Sequence, residues 1–321
     1  MTSQKFITLQ PTGDKLPLVG FGTARIPNDD TEQVIYNAIK AGNRLIDGAL
    51  SYGNEAQVGQ GVRRAIADGI VKRQELFIVG KLWNNFHEKQ HVKSIVQMTL
   101  DNYGLDYIDL YLVHFPFATE YVDPKQPFTL TNAKNELKLI KAPLQETWRE
   151  LEALVDAGLI RNIGISNFNV QLTLDLLSYS RIPPSVLEIE HHPYLQQRRL
   201  VQWIRSQGIQ VIAYASFGNA VFEAVPPGTE HLENLMKHPV IVDIAKKHQL
   251  NTGQVLLAWA VNHQVVVIPK TVNVERMKSN LDIDHIKLDD DDLQKIDSLE
   301  ANARFNDFYV GNYGFEFPLF D

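Results

Sequence analysis

Short, almost wholly apolar runs alternate along this chain with longer stretches whose apolar residues recur every three or four positions. The runs have the length of strands and fall at residues 19–22, 44–47, 76–81, 108–114, 160–165, 186–189, 210–214 and 265–269. Leu110-Tyr111-Leu112-Val113 and Val265-Val266-Val267-Ile268 carry no charged residue, as expected for parallel strands covered on both faces. The longer stretches predict helices over 31–41, 54–67, 91–102, 144–157, 170–177, 196–206 and 240–248. In the first of these, Val34, Ile35, Ala38 and Ile39 share a face, and Asp29-Asp30-Thr31 supplies an N-cap signal. Ahead of them all, residues 6–9 alternate, Thr12-Gly13-Asp14 turn, and 16–22 open the next strand, so a short hairpin begins the fold.

Eight strands separated by helices mean a parallel α/β fold, either doubly wound or closed into a barrel. A dinucleotide-binding half of the doubly wound type needs G-x-G-x-x-G between its first strand and first helix. Here Gly20-Phe21-Gly22 is followed by Thr23-Ala24-Arg25, with no third glycine. The expected fold is therefore a (β/α)8 TIM barrel with an N-terminal β-hairpin, long βα loops and an irregular C-terminal tail from about Asn302. No linker or composition shift divides the chain. Residues 1–321 read as one domain with a long inserted loop over 115–143.

Composition narrows the functional classes. With 31 Lys and Arg against 38 Asp and Glu, the net charge of −7 makes nucleic acid and anionic membranes poor partners. Cysteine is absent, which excludes disulfides, a thiolate nucleophile and Cys-ligated metal; no metal site is expected. No run approaches about 18 apolar residues, and residues 1–5 lack the apolar core of a signal peptide. A cytoplasmic protein is expected.

In a barrel, chemistry sits where strands end and βα loops begin. The second strand ends at Asp47, with Tyr52 soon after; the third ends around Lys81, the fourth at His114. Singly, each has an ordinary role: a helix cap, a plugged turn, a solvated ammonium, a structural imidazole. Together they suit proton donation. A phenol with a pKa of about 10 is a weak acid at neutral pH, and an ammonium beside it favours the phenolate. A carboxylate behind the lysine would hold it charged, and a neutral imidazole can orient a carbonyl oxygen. None of the four carries electrons, so a redox reaction needs a cofactor. A helix starting near Asn273, flanked by Lys270 and Arg276 with Thr271 as a further donor, resembles a phosphomonoester site. A solvated basic turn capped by Asn273 accounts for that segment equally well.

Asp47, Tyr52, Lys81 and His114 match in order and spacing the tetrad of the aldo-keto reductases. Gly164-Ile165-Ser166-Asn167-Phe168 and Ile268-Pro269-Lys270 match two further signatures, and the resemblance runs from hairpin to tail. Glu190-His191-His192-Pro193-Tyr194-Leu195-Gln196-Gln197, His114-Phe115-Pro116 and Arg304-Phe305-Asn306-Asp307 resemble fungal xylose reductases more closely. The resemblance implies NADPH-dependent reduction of an aldose, a pentose such as D-xylose or L-arabinose, or another aldehyde. Tyr52 would be the acid, tuned by Lys81 with Asp47 behind it, and His114 would orient the substrate. Ser166, Asn167 and Glu188 would hold the nicotinamide carboxamide, with Tyr214 stacked on the ring. Lys270, Thr271, Asn273 and Arg276 would take the 2′-phosphate and Asn280 the adenine. Thr23, Arg25, Ser216, Phe217 and Gly218 complete the implied cofactor contacts. Ala24, Ser51, Trp83, His114, Phe115 and Asn306 are the implied substrate contacts.

Departures from that pattern reshape the expectation. Ala24 stands where xylose reductases usually carry Trp, and Ser51 where they carry Asp, so the pocket should be larger and less tied to sugar hydroxyls. Glu188 replaces a Gln, and Ala224, with Glu223 one residue away, replaces a Glu that relatives accepting NADH use. NADPH is expected over NADH, and a monomer or homodimer is expected. Alternatives are a broader aldehyde, glyceraldehyde or uronate reductase, the reverse oxidation, or a barrel that binds NADPH without catalysis, as structural and channel-associated members do.

Overall fold

The apolar runs become strands because each is buried on both faces. In the computed structural model, which describes residues 5–320, β1 (Phe6–Thr8) and β2 (Lys15–Pro17) pair antiparallel as the hairpin. Residues 1–4, part of the segment read above for a leader's apolar core, lie outside the described residues. Eight parallel strands follow: β3 (Phe21–Gly22), β4 (Leu45–Asp47), β5 (Phe77–Leu82), β6 (Ile108–Val113), β7 (Ile160–Ser166), β8 (Val186–Glu190), β9 (Gln210–Tyr214) and β10 (Val266–Val267). They hydrogen-bond in chain order from β3 to β10. Closure comes from a parallel bridge between Val19 and Val267, with Gly20 N donating to Val267 O at 2.8 Å and Val267 N to Leu18 O at 3.0 Å. A Cβ on Gly22 would sit 2.7 Å from the Ile268 carbonyl oxygen, so glycine there lets the first and last strands meet.

Helices cover the barrel: α1 (Asn28–Ala41), α2 (Glu55–Ala67), α3 (Lys89–Tyr103), α4 (Leu144–Asp156), α5 (Val170–Tyr179), α6 (Arg198–Ser206), α7 (Pro239–His248), α8 (Thr252–Asn262), α9 (Val274–Leu281), α10 (Asp290–Asp297) and α11 (Val310–Tyr313). This is the (β/α)8 barrel, and the segment between β6 and α4 is the long loop, held by short bridges at Thr119–Leu139 and Thr131–Leu137.

Several expectations are corrected. The strand read over 16–22 splits at Leu18, whose amide still donates to Lys5 O in the hairpin while its carbonyl accepts from Val267 N beside β10. The strand read over 265–269 keeps only Val266 and Val267, since Pro269 has no amide to donate. Asp29-Asp30-Thr31 do not cap α1: Pro27 does, the acids lie in the first turn, and buried Thr31 donates to Pro27 O at 2.8 Å. The helix read from 196 begins at Arg198, because Gln197 takes a left-handed conformation with φ 48°. Missing from the sequence reading are α10 and α8; α8 is mostly apolar and buried on nearly all sides, which leaves little amphipathic period to see. The tail, read as irregular, contains the single turn α11 and a bridge between Phe308 and Phe317.

Candidate active site at the C-terminal end of the barrel

Strand register brings together side chains distant in sequence. Asp47 closes β4, Tyr52 ends a tight 3-10 turn over Leu50–Tyr52, Lys81 is the penultimate residue of β5, and His114 follows β6. Lys81 is wholly buried, and its Nζ donates to Asp47 Oδ2 at 2.5 Å, Gly48 O at 3.1 Å and Tyr52 Oη at 3.5 Å. Glu188 Oε1, from β8, lies 3.4 Å from the same nitrogen. Gly48 is glycine because a Cβ there would collide with the Tyr103 hydroxyl, which passes across to Val79 O.

Burial sets the electrostatics. It works against the Lys81 ammonium, but Asp47 and then Glu188 outweigh it and hold the amine firmly charged. Burial pushes the Tyr52 phenol well up; Lys81 pulls it back without overcoming that effect. The expectation that the ammonium lowers this pKa is thus right in sign for the pair and outweighed in the buried site. Burial, followed by the charge on Lys81, keeps His114 neutral. Burial and the neighbouring Asp47 carboxylate push Glu188 up to about 8. The His114 ring packs edge-on to Tyr52 and Trp83 and stacks on Phe115, with Nδ1 3.5 Å from Ser51 Oγ. Ser51, expected at the substrate, therefore reaches the imidazole. When that hydroxyl donates to Nδ1, the neutral ring carries its proton on Nε2.

A second group forms one hydrogen-bonded chain. Asn167, left-handed at φ 63°, donates to His114 O at 2.9 Å and Ser166 Oγ at 3.0 Å, and accepts from Tyr214 Oη at 2.6 Å. Asn306 donates to Tyr214 Oη at 3.0 Å and accepts from Tyr313 Oη at 3.1 Å. The tail carrying Asn306 is fixed by Glu190, whose carboxylate accepts from Phe305 N at 2.8 Å and Asn306 N at 2.9 Å and sits 2.8 Å from His192 Nε2. Sequence reasoning missed Tyr313 and this anchor. The Glu190-His191-His192 run was visible, but nothing in it says that its carboxylate reaches the tail.

A third group lies at the start of α9. Asn273 caps that helix by accepting from Arg276 N at 3.0 Å, and Thr271 Oγ1 accepts from Asn273 N at 3.2 Å. Lys270 and Arg276 are exposed, and among the described residues neither side chain makes an ion pair or hydrogen bond. Asn280 is buried farther along the helix. Both readings of this segment thus describe one object, a capped helix start with two uncompensated cations. The loop after β9 carries Ser216, Phe217 and Gly218, with Ala215 and Gly218 at positive φ. Thr23 N donates to Asp47 O at 3.0 Å, while exposed Arg25 is left-handed at φ 60°. Buried polar atoms without partners, Thr23 Oγ1 and Glu188 Oε2, together with the bare cations, fit an anionic cofactor with hydrogen-bonding groups.

A cavity of about 980 Å3 opens at the other end of the strands, between the hairpin and α9, lined by Lys15, Arg44, Asp109 and Asp284 among others; none of the candidate residues line it. No helix of the described residues is long and apolar enough to cross a membrane.

Comparison with known proteins returned a match to the Aldo/keto reductase family over residues 18–301. The 4-dihydromethyl-trisporate dehydrogenase of Mucor mucedo is 50% identical over 99% of this chain and 100% of its own. An NAD(P)H-dependent D-xylose reductase of Pyricularia oryzae is 48% identical, covering 92% of each chain. Among solved structures, the aldose reductase of Schistosoma japonicum superposes with a TM-score of 0.87 at 31% identity, over 98% of each chain.

Proposed function

Since this chain belongs to the aldo/keto reductase family, we propose that it reduces aldehydes to alcohols with NADPH, Tyr52 supplying the proton. The observation that carries the reading is the buried Lys81 ammonium, held between Asp47, Glu188 and Tyr52 beside a neutral His114. When bound, the nicotinamide supplies the hydride that forms the new C–H bond. His114 orients the carbonyl oxygen, and Tyr52 passes its proton to that oxygen as the C=O electron pair moves onto it. The phenolate left behind is stabilised by the ammonium of Lys81, and Asp47 keeps that ammonium charged and aimed. The free-site phenol is too basic to ionise alone, which suits a group that must stay protonated until the transition state. Lys270 and Arg276 would take the 2′-phosphate, Thr271 and Asn273 would frame it, and Asn280 would meet the adenine. Ser166, Asn167 and Glu188 would hold the carboxamide, with Tyr214 against the ring; Thr23, Arg25 and Ser216, Phe217 and Gly218 would line the remainder.

Substrate class is the open variable. The xylose reductase relatives support a pentose, with Asn306 as the hydroxyl partner. A bulky apolar alcohol or carbonyl is the second reading. It is favoured by Ala24, by the rings of Trp83, Phe115, Phe117 and Phe308 packed along the mouth at 5.1–5.9 Å, and by the trisporate-type relative. The test is NADPH consumption with aldoses, uronates, simple aldehydes and large apolar carbonyls, ranked by kcat/KM, together with the reverse reaction on the matching alcohols. Absence of turnover with all of them, alongside intact NADPH binding, would favour the non-catalytic barrel. A cytoplasmic setting belongs to this reading, and sedimentation distinguishes monomer from homodimer.

A further inference from the structure

We propose that Glu188 selects between the oxidised and reduced cofactor, accepting both when protonated and favouring the cationic oxidised ring when ionised. The inference rests on the reading that Ser166, Asn167, Glu188 and Tyr214 seat the nicotinamide. Glu188 is the middle residue of β8, in register with Ser166, and its backbone carbonyl accepts from Asn167 N at 2.9 Å. Its side chain is nearly fully buried. One oxygen faces Lys81 Nζ at 3.4 Å, Oε2 has no donor against it, and the Asp47 carboxyl is close enough to share the acid's proton. A neutral amide would be the undemanding occupant of this position; a carboxyl beside an already paired ammonium is not.

The charged and titratable groups facing Glu188 are Asp47 from β4, Lys81 from β5 and Tyr52 from the turn after β4. On the adjoining strands the residues in register with it are neutral, Ser166 on β7 and Ile212 on β9. Lys81 already carries the Asp47 counter-charge at 2.5 Å, so a second carboxylate makes the cluster net negative. Burial and Asp47 accordingly push the Glu188 carboxyl well above the usual carboxylate range, which favours its protonated form. In that state the carboxyl is neutral, as an amide would be, with its proton shared with Asp47. Ionisation adds a negative charge beside a ring that is positive in NADP+ and uncharged in NADPH. Only a group that distinguishes the two ring charges can change their relative affinity.

The test is the ratio of dissociation constants, NADP+ over NADPH, measured by calorimetry on wild type and Glu188→Gln from about pH 6 to about pH 9.5. The 2′-phosphate titrates alike in both cofactor forms and drops out of the ratio. In wild type the ratio should fall about tenfold as pH rises, for one added charge near the ring in a partly shielded site. In Glu188→Gln it should stay flat. A flat wild-type ratio, or an equal fall in both proteins, overturns the proposal. Failure of wild type to bind either form at any pH overturns the cofactor seat itself and the inference with it.

Stability offers a readout free of cofactor. A carboxyl whose folded pKa lies above its unfolded value favours folding least once it is ionised. Wild type should therefore lose stability relative to Glu188→Gln as pH climbs from about 4.5 through about 8. Glu55, pushed up to about 7 by burial, titrates in both proteins and cancels in the difference. A urea-midpoint difference that does not move with pH would contradict the raised Glu188 on which the selection depends.

Discussion

Two charged regions share the mouth of this barrel and are built in opposite ways. Around Lys81 the charges are buried together within the protein: Asp47 and Glu188 face the one ammonium, and Tyr52 accepts from it. At the start of α9, Lys270 and Arg276 stand in solvent with no carboxylate against them, and the one acid of the first turn, Glu275, pairs with Lys278 instead. A buried cluster is preorganised, so removing one member strands the others and is felt in folding as well as chemistry. An exposed, uncompensated pair has nothing to lose in the free protein and gains only when an anion arrives. Chemistry and anchoring should therefore come apart under mutation.

The strongest way to break that contrast is Lys81→Met. It leaves two carboxyls buried without their cation, and a loss of about 3–5 kcal/mol in urea unfolding is expected, together with loss of turnover. Unchanged stability would mean that the cluster is not compensated as its geometry says. Next in size is Arg276→Ala. The affinity for NADPH should weaken about tenfold or more, while kcat and the unfolding midpoint stay near wild type. Comparable KM values for NADH and NADPH in the unmodified protein would remove the phosphate role from this corner. The smallest effect is expected from Ala24→Trp, which should change the ranking of substrates several-fold by steric exclusion while sparing cofactor affinity. A uniform fall for every substrate would place residue 24 against the cofactor instead.

Legibility differed between the two regions for a physical reason. Strand-end placement follows from apolar runs, so the sequence alone sets Asp47, Lys81 and His114 on one rim. The cap on α9 was likewise written locally, in Asn273 followed by Val274-Glu275-Arg276. Contacts between strands far apart in sequence were not. Nothing in the chain's order says that Glu188 on β8 reaches Lys81 on β5, or that Glu190 pins the tail at Phe305 and Asn306. Competing energies were equally hidden: the sequence pairs Tyr52 with a lysine, but only burial shows that desolvation outweighs the lysine's pull. Helix α8 escaped for the simplest reason, that a helix buried on nearly all sides has little polar face to give its period.

The proton-donor assignment is tested most directly by Tyr52→Phe, which keeps the ring and deletes only the hydroxyl. NADPH affinity and single-turnover reduction of an aldehyde substrate should be measured on the same folded preparation. The expected result is unchanged affinity with the rate of reduction down about 100-fold or more. A folded Tyr52→Phe protein that binds NADPH and reduces at close to the wild-type rate would contradict the assignment of Tyr52 as the acid.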